Sequence, residues 1–491
     1  MQYSIIIIGG GSAGMVCAIR AAMRGSKVLV IDKANEIGGT LHLTAGHLSA
    51  AGTQLQAAKG IHDTAQDHYN DVDSISQHTM QPALTHKAVT LAAATVDWLV
   101  ALGYPMHPNA PIIIHGHQAY STARTYMGSH DYAAKDITTS AKTVYYTLLP
   151  LWHKYVASGH ITVLLKHSLQ GLVTNGLAIT HINALNLTTN AVTVIPVHTA
   201  QVVVTTGGYA ANATLYTAAM QPYALDATKH YPARLLSSAS EYSQGDGILA
   251  ITAIGGTFDG AQHHLSTLGG IELEPGSGRA SFWHAWARVT NSHDRVPREI
   301  YINAMGNRFM NEHDLTVDER ERIVLQQPNQ RFYVLCDHKA LYSGPPIVVQ
   351  WTADEFVQQC EQEKCCWKAD TIAALAAKIN VPAANLLHTV TQYNSYVYNQ
   401  KDLDYNRTVL THTLEQGPYY ALLVYAYSLI SFGGVVVNDN LQVLHSSGAA
   451  FTNLYAAGEV LGAAATSGNA FCGGMLLTPA LSFGMWLGDY L

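Results

Sequence analysis

Charged side chains are scarce in this chain of 491 residues, where Asp, Glu, Lys and Arg together make up only 12 %. Soluble proteins usually contain about twice that share. The formal net charge at pH 7 is −7, so the sequence offers no basic face for a nucleic acid. The apolar start lacks the basic residues of a secretory signal, and no apolar run reaches the roughly 18 residues of a membrane span.

Cysteine is also rare, and the six cysteines have the spacing of no zinc, iron–sulfur or haem-attachment motif. We therefore expect a chain with reduced thiols that resides in the cytoplasm. Without such a motif, electrons have no route through a built-in redox chain.

A strand–turn–helix–strand pattern is present in residues 1–33. The uncharged β-branched run at 4–8 predicts a buried parallel strand, and the run at 27–31 predicts a second. The Ala-rich stretch 15–24 between them predicts a helix that ends before Gly25. This order is typical of the first unit of a dinucleotide-binding sheet.

The glycines of this unit fit G-x-G-x-x-G and have separate tasks. Gly9 permits the tight turn, Gly11 lets the backbone approach a pyrophosphate, and Gly14 lets helix and strand pack closely. Free N–H groups at the start of the helix bind phosphate. Asp32, directly after the second strand, is placed to accept hydrogen bonds from a ribose. The sequence has no second motif of this kind for NAD.

The loop at 38–53 reads G-G-T-L-H-L-T-A-G-H-L-S-A-A-G-T. It resembles the flavin-facing loop of the fumarate reductase and succinate dehydrogenase flavoproteins, which the 3-ketosteroid dehydrogenases share. Some members of this superfamily attach FAD through a histidine in the loop. That position falls on Thr40 here, and His42 is displaced by two residues, so the resemblance implies non-covalent FAD.

Two later segments are similar to the same superfamily. A buried strand at 201–205 opens into Thr206-Gly207-Gly208, and the strand at 453–457 opens into Gly458-Glu459. A glycine-rich turn at 468–474 then leads into a helix whose start is expected at the flavin, where its dipole stabilises the reduced anion. The resemblance covers essentially the whole chain.

This resemblance implies an α/β fold: a Rossmann-like FAD-binding domain at 1–230 and 346–491 with an inserted α+β capping (substrate) domain at 231–345. We expect the cofactor to contact Gly9, Gly11, Ser12, Ala13, Gly14, Asp32, Lys33, Gly39, Thr40, Ala45, Gly46, Thr206, Gly207, Gly458, Glu459, Gly474, Leu476 and Leu477.

In the cap, N-A-M-G-N-R-F-M-N-E at 303–312 is similar to a family turn, and Arg308 and Glu312 are expected to form a structural ion pair. The resemblance also implies a clamp of histidines and arginines around two carboxylates. By ungapped comparison His264 keeps one clamp position, whereas the other three fall on Thr316, Ile430 and Phe471. Two buried carboxylates need paired cations, so fumarate is disfavoured.

The resemblance therefore implies hydride transfer between flavin N5 and a carbon beside a carbonyl of a weakly charged, cyclic small-molecule substrate. The alternatives are a fumarate reductase-like dicarboxylate reductase and an electron-relay flavoprotein subunit. Candidates for the acid or base are Tyr126, His264, Tyr301 and Tyr427, because a phenol or imidazole can exchange a proton with a carbonyl. Free flavin, a quinone, oxygen or a redox protein is expected to exchange the electrons.

Overall fold

A computed structural model describes residues 2–44, 46–114, 117–129, 142–220, 236–280, 284–289 and 296–491. The predicted flavin contact Ala45 lies outside these residues. In the described part, the α-helices are Ser12–Met23, Gln54–Ala58, Ala65–Ile75, Pro82–Ala101, Thr143–Ala157, Ala213–Met220, Asp246–Ala253, Val317–Leu325, His338–Tyr342, Ala353–Cys360, Ile372–Lys378, Ala383–Asn399, Ala464–Ser467 and Leu477–Tyr490. The strands there are Ile5–Ile8, Val28–Ile31, Leu48–Ser49, Thr125–Tyr126, Ile161–Leu164, His167–Asn175, Ala178–Asn186, Ala191–Pro196, Gln201–Val204, Leu236–Ser237, Phe258–Asp259, Thr267–Gly270, Ile300–Ile302, Arg331–Asp337, Cys366–Ala369, Tyr419–Ser428, Gly434–Val435, Gln442–Leu444 and Ala450–Ala456.

The predicted Rossmann-like sheet is present. The strand Ile5–Ile8 pairs in parallel with Val28–Ile31 on one side and with Gln201–Val204 on the other. Ala450–Ala456 joins this sheet beside Gln201–Val204, and Ile161–Leu164 joins it beside Val28–Ile31, both in parallel. All four residues of the first strand are buried, as expected for a strand covered on both faces. Because the strands are parallel, the three sequence motifs meet at one edge of the sheet.

The first helix begins at Ser12, three residues earlier than the run of apolar residues predicted. It ends at Met23, and Gly25 follows with a φ of +90°. That left-handed conformation favours glycine after a helix. The start of the helix is thereby fixed directly behind the glycine turn.

The second sheet extends further along the chain than the predicted boundary at residue 346. Its long strand Tyr419–Ser428 pairs with Arg331–Asp337, Thr267–Gly270 and Cys366–Ala369. Helices from Ala353 to Asn399 pack against this sheet. The sequence analysis assigned residues 346–491 to the FAD-binding domain, because apolar content alone does not tell one sheet from another.

The cap is held by the predicted ion pair. Arg308 donates to both carboxylate oxygens of Glu312 at 2.9 and 2.7 Å and also contacts Asp402 at 2.9 Å. All three side chains are buried, so the pair is structural, as the sequence predicted. In the described part of the chain, no helix has the length and apolar character needed to span a membrane.

Candidate active site

A continuous depression lies at the meeting point of the sheet motifs. It consists of a cavity of about 450 Å³ and a narrower groove of about 100 Å³. Both are lined by Ser12, Thr40, Ser240, Gly458 and Glu459, so one elongated ligand can occupy the two together. We call the groove the nucleotide end of this site, because the glycine turn lines it, and the cavity its substrate end.

The glycine turn forms the floor of the groove. A Cβ on Gly9 would lie 2.4 Å from the carbonyl oxygen of Thr205, and one on Gly14 would lie 1.9 Å from the carbonyl oxygen of Gly9. Both glycines are therefore needed for close packing of strand, turn and helix. A Cβ on Gly11 would meet nothing within 4 Å, so the open space beside Gly11 is a cradle that a ligand can fill. The close packing at Gly14 agrees with the motif, whereas the pyrophosphate contact at Gly11 stays a prediction.

Acidic and basic side chains follow the glycine turn along the groove. Asp32 accepts hydrogen bonds from the backbone N–H groups of Gly10 at 2.6 Å and Ala34 at 2.8 Å. Each carboxylate oxygen retains acceptor capacity for a ribose hydroxyl. Lys33 pairs with Asp246 at 2.8 Å, and both line the groove. Asp246 was not among the cofactor contacts predicted from the sequence.

Glu459 lies between groove and cavity. Its Oε1 accepts from the backbone N–H of Ser431 at 3.0 Å and from the Ser431 hydroxyl at 3.3 Å. Burial raises the pKa of Glu459 above its ordinary value, against these two hydrogen bonds. A carboxyl group at this junction suits the hydroxyls of a ribityl chain.

The loop position associated with covalent flavin is occupied by Thr40, which lines both groove and cavity. His42 lines neither the groove nor the cavity. Its Nε2 contacts the carbonyl oxygen of Ile37 at 2.9 Å, and its ring meets the Tyr145 ring with 4.6 Å between centroids. His47, which the sequence analysis did not select, lines the cavity, and burial lowers its pKa.

The predicted cofactor residues therefore come together. Those that line the groove, the cavity or both are Gly9, Gly11, Ser12, Ala13, Asp32, Lys33, Gly39, Thr40, Thr206, Gly207, Gly458, Glu459, Gly474, Leu476 and Leu477. Gly14 contributes by close packing. Gly46 is not among the described residues that line the groove or the cavity. A glycine cradle, a helix start and acidic groups in this order fit FAD, with the flavin expected at the cavity end.

The substrate end of the cavity is mainly apolar. Ile430 and Phe471, two of the predicted replacements in the dicarboxylate clamp, line it together with Trp286 and Phe432. Among the described residues that line the cavity there is no Lys or Arg. The third replacement, Thr316, caps the helix Val317–Leu325 through a capping box with Glu319, so its role is structural.

Tyr126 and His264 are close to the cavity but point away from it. The Tyr126 hydroxyl lies 2.6 Å from Oγ1 of Thr53. Both ring nitrogens of His264 have partners, Tyr216 at 2.6 Å and Ser266 at 2.9 Å, and burial lowers its pKa to about 3. Thr125, which precedes Tyr126, and Leu265, which follows His264, line the cavity instead. Neighbouring side chains in extended backbone point to opposite sides, so one step along the chain separates lining from core.

Tyr301 and Tyr427 are also absent from the cavity lining. Tyr301 is buried in the core of the cap, where its ring packs on Phe332 with 5.2 Å between centroids. Tyr427 lies on the long strand opposite Thr267. Burial, together with the nearby Glu321, raises the pKa of Tyr427. The structure thus does not bring the four predicted acid–base residues together at the cavity.

The cavity contains a polar group that the sequence analysis missed. His117 and Glu321 line it, and Asp318 lies beside them. Donor or acceptor atoms of these three residues all lie within 4.8 Å of one another. The spacing of Asp318 and Glu321, one helical turn apart after a T-x-x-E cap, was the available signal. His117 is about 200 positions away in sequence and gave none.

Comparisons with known proteins agree with this geometry. Residues 4–476 match the profile of a family described as FAD binding domain. The chain is 25 % identical to the NADH:fumarate oxidoreductase of Klebsiella pneumoniae (strain 342) over 94 % of this chain and 44 % of the relative, so it spans less than half of that protein. It is 27 % identical to the vinyl phenol reductase of Lactiplantibacillus plantarum over 93 % of this chain and 90 % of the relative. Its fold is similar to the crystal structure of 3-ketosteroid delta1-dehydrogenase from Sterolibacterium denitrificans, with a TM-score of 0.76, 18 % identity and coverage of 100 % and 99 % of the two chains.

Proposed function

The chain belongs to the FAD binding domain family, and on this premise we propose that it is an oxidoreductase acting on a conjugated carbon–carbon bond of a weakly charged substrate. In one direction the reaction reduces an alkene or enone, and in the other it introduces a double bond beside a carbonyl. FAD supplies the two-electron hydride chemistry when bound. The residues that line groove and cavity would hold it without a covalent bond, because Thr40 stands at the attachment position and His42 points elsewhere.

The observation that supports this proposal most directly is the apolar character of the substrate end. Ile430 and Phe471 line the cavity at positions where the family resemblance implies cations for a dicarboxylate. Burying an unpaired carboxylate costs several kcal/mol (order of magnitude). A substrate with two carboxylates is therefore rejected by desolvation, whereas a neutral ring system is accepted.

The aromatic side chains point to a planar substrate. The Trp286 indole N–H donates to the carbonyl oxygen of Leu268 at 3.1 Å, which fixes the ring in the cavity wall. Phe432 and Phe471 line the same space, and aromatic rings pack well against one another. The relative named vinyl phenol reductase acts, by its name, on such a molecule, so we choose 4-vinylphenol as the first probe and 2-cyclohexenone as the second.

The electrons must come from or go to an external carrier: free flavin, a quinone, oxygen or a redox protein. We keep the cytoplasm as the proposed location, because the six cysteines are buried free thiols of the kind that persists in a reducing compartment.

The test is an anaerobic half-reaction with the flavin-loaded protein. Dithionite reduces the flavin, the excess reductant is removed, and flavin absorbance is followed after separate addition of 4-vinylphenol, 2-cyclohexenone, a 3-ketosteroid, urocanate or fumarate. We expect rapid reoxidation by one of the first three and none by fumarate. Rapid reoxidation by fumarate would favour the dicarboxylate alternative. Reoxidation by none of the five would favour an electron-relay subunit.

A further inference from the structure

One carboxyl group at the substrate end has an unusual environment. Glu321 lines the cavity and is only 2 % exposed. Among the described residues its Oε1 has no hydrogen-bond partner, whereas the backbone N–H of Leu268 donates to the carboxyl group. The carbonyl of Leu268 in turn accepts from the Trp286 indole, so carboxyl group and aromatic wall are fixed side by side. A buried polar atom without a partner in a cavity indicates a ligand contact.

Asp318 is the nearest acidic neighbour that acts on the pKa of Glu321. The Asp318 carboxylate accepts hydrogen bonds from the backbone N–H groups of Gln118 at 3.1 Å and Phe471 at 3.2 Å. Its Oδ1 also lies 3.2 Å from Nδ1 of His117. Burial alone would raise the pKa of Asp318, but the contacts with His117 and the two backbone groups lower it below its ordinary value. Asp318 is therefore the anion of the pair.

Glu321 then keeps its proton. Burial first, and the Asp318 anion second, raise the pKa of Glu321 well above its usual range. The opposing influences are weaker: the Leu268 backbone N–H, and then Arg320 and Arg322, lower the pKa of Glu321 less than burial raises it. Arg320 donates to the carbonyl oxygen of Val289, and Arg322 to that of Asn469.

We propose that the Glu321 carboxyl group gives the proton to the substrate during alkene reduction and takes it back during dehydrogenation, and that His117 and Asp318 connect it with solvent. This inference rests on the proposed function. The His117 side chain is 30 % exposed and the Asp318 side chain only 4 %, so within this pair His117 is the residue that can exchange a proton with water. Tyr427 is an electrostatic neighbour of Glu321 outside the lining.

The atoms and electrons of this step balance. Reduction of a carbon–carbon double bond breaks one π bond and forms two C–H bonds, one from a hydride and one from a proton. The hydride with its electron pair belongs to the flavin chemistry, and a reduced flavin, quinone or redox protein must restore that pair. The proton leaves the Glu321 carboxyl group, which becomes a carboxylate and is reprotonated from solvent. Dehydrogenation moves the same proton and electron pair in reverse, to an oxidised carrier.

The test compares Glu321→Gln with Glu319→Gln in the flavin-loaded protein. Glu319 lies on the same helix and is exposed. Its side chain accepts a hydrogen bond from the backbone N–H of the N-cap residue Thr316, which a glutamine side chain can also do. We expect Glu321→Gln to slow reoxidation of the reduced flavin by the active compound of the five-compound panel at least about 100-fold, while Glu319→Gln keeps the wild-type rate. A rate for Glu321→Gln close to that of the wild type would overturn the proposal.

A second readout does not depend on turnover or on the identity of the substrate. Infrared difference spectra of the oxidised protein with and without 4-ethylphenol should contain a carboxylic acid carbonyl band that Glu321→Gln removes and Glu319→Gln retains. Absence of that band from the wild type would overturn the protonated state, even if 4-vinylphenol is reduced. A stoichiometric divalent cation in the wild type that Glu321→Gln loses would also overturn it, since a cation there requires an ionised carboxylate. If the band is present but only fumarate reoxidises the flavin, the proposed function fails and the Glu321 assignment stands.

Discussion

The nucleotide end and the substrate end of the site are built in different ways. Gly9, Gly11 and Gly14 form the nucleotide end with backbone atoms from one short segment, and they tolerate no added Cβ at two of the three positions. The substrate end consists of side chains from distant segments, such as His117 and Asp318, which are 201 positions apart. The first arrangement is specified by local sequence, and the second by how the cap folds onto the sheet.

The largest effect is expected from glycine substitutions at the nucleotide end. Gly11→Ala fills the open cradle and should lower FAD affinity by about two orders of magnitude. The apoprotein should fold normally, because the new Cβ meets no protein atom within 4 Å. Gly14→Ala should impair folding as well, because its Cβ would meet the Gly9 carbonyl. Flavin titration and thermal melting of the apoproteins separate the two outcomes.

The control for this experiment is Gly171→Ala, in the three-stranded sheet beside the site. Its added Cβ also meets nothing within 4 Å, and Gly171 lines neither groove nor cavity. Unchanged FAD affinity in Gly11→Ala would mean that the open space beside this turn is not the cradle for the pyrophosphate.

A smaller effect is expected at the substrate end, on stability. The folded state holds the Glu321 proton more tightly than the unfolded chain, whose glutamate has a pKa near 4.5. As the pH rises above that value the unfolded state ionises first, so wild-type stability falls by up to about 1.4 kcal/mol per pH unit until Glu321 also ionises. Glutamine does not titrate, so the melting temperature of Glu321→Gln, measured relative to that of the wild type, should rise with pH by a growing margin.

Melting curves of the two proteins between pH 5 and pH 8 measure this margin directly. A margin that stays constant, or shrinks with rising pH, would show that Glu321 is ionised in the folded protein. The charged and titratable neighbours of Glu321 are present in both proteins: Asp318, His117, Arg320, Arg322 and Tyr427. Their titration changes the melting temperatures of both proteins in a similar way, so it contributes little to the difference.

The sequence was sufficient for the nucleotide end because its signals are local. The strand at 5–8, the glycine turn and Asp32 follow one another along the chain, and a strand end followed by glycine identifies each later contribution. Apolar residues at 430 and 471 also predicted the uncharged cavity wall. These features need only the order of residues and the rule that parallel strands end at the same edge.

The substrate end was less accessible because it depends on side-chain direction and tertiary contact. Tyr126 and His264 were predicted as acid–base candidates, yet the residues next to them line the cavity. The alternation of side chains along a strand does not tell which of two neighbours faces the cavity unless the strand pairing is known. Glu321 was missed because its environment is formed by Leu268, His117 and Phe471 from three other segments. The T-x-x-E cap at Thr316 was the only local sign that a helix begins there.

The most direct test of the comparison is ligand binding to the oxidised, flavin-loaded protein. Difference spectra of the flavin during titration with 4-ethylphenol and, separately, with succinate report which of the two enters the cavity. The account predicts saturable perturbation by 4-ethylphenol and none by succinate at equal concentrations, because Ile430 and Phe471 supply no charge for a carboxylate. Tighter binding of succinate than of 4-ethylphenol would contradict it.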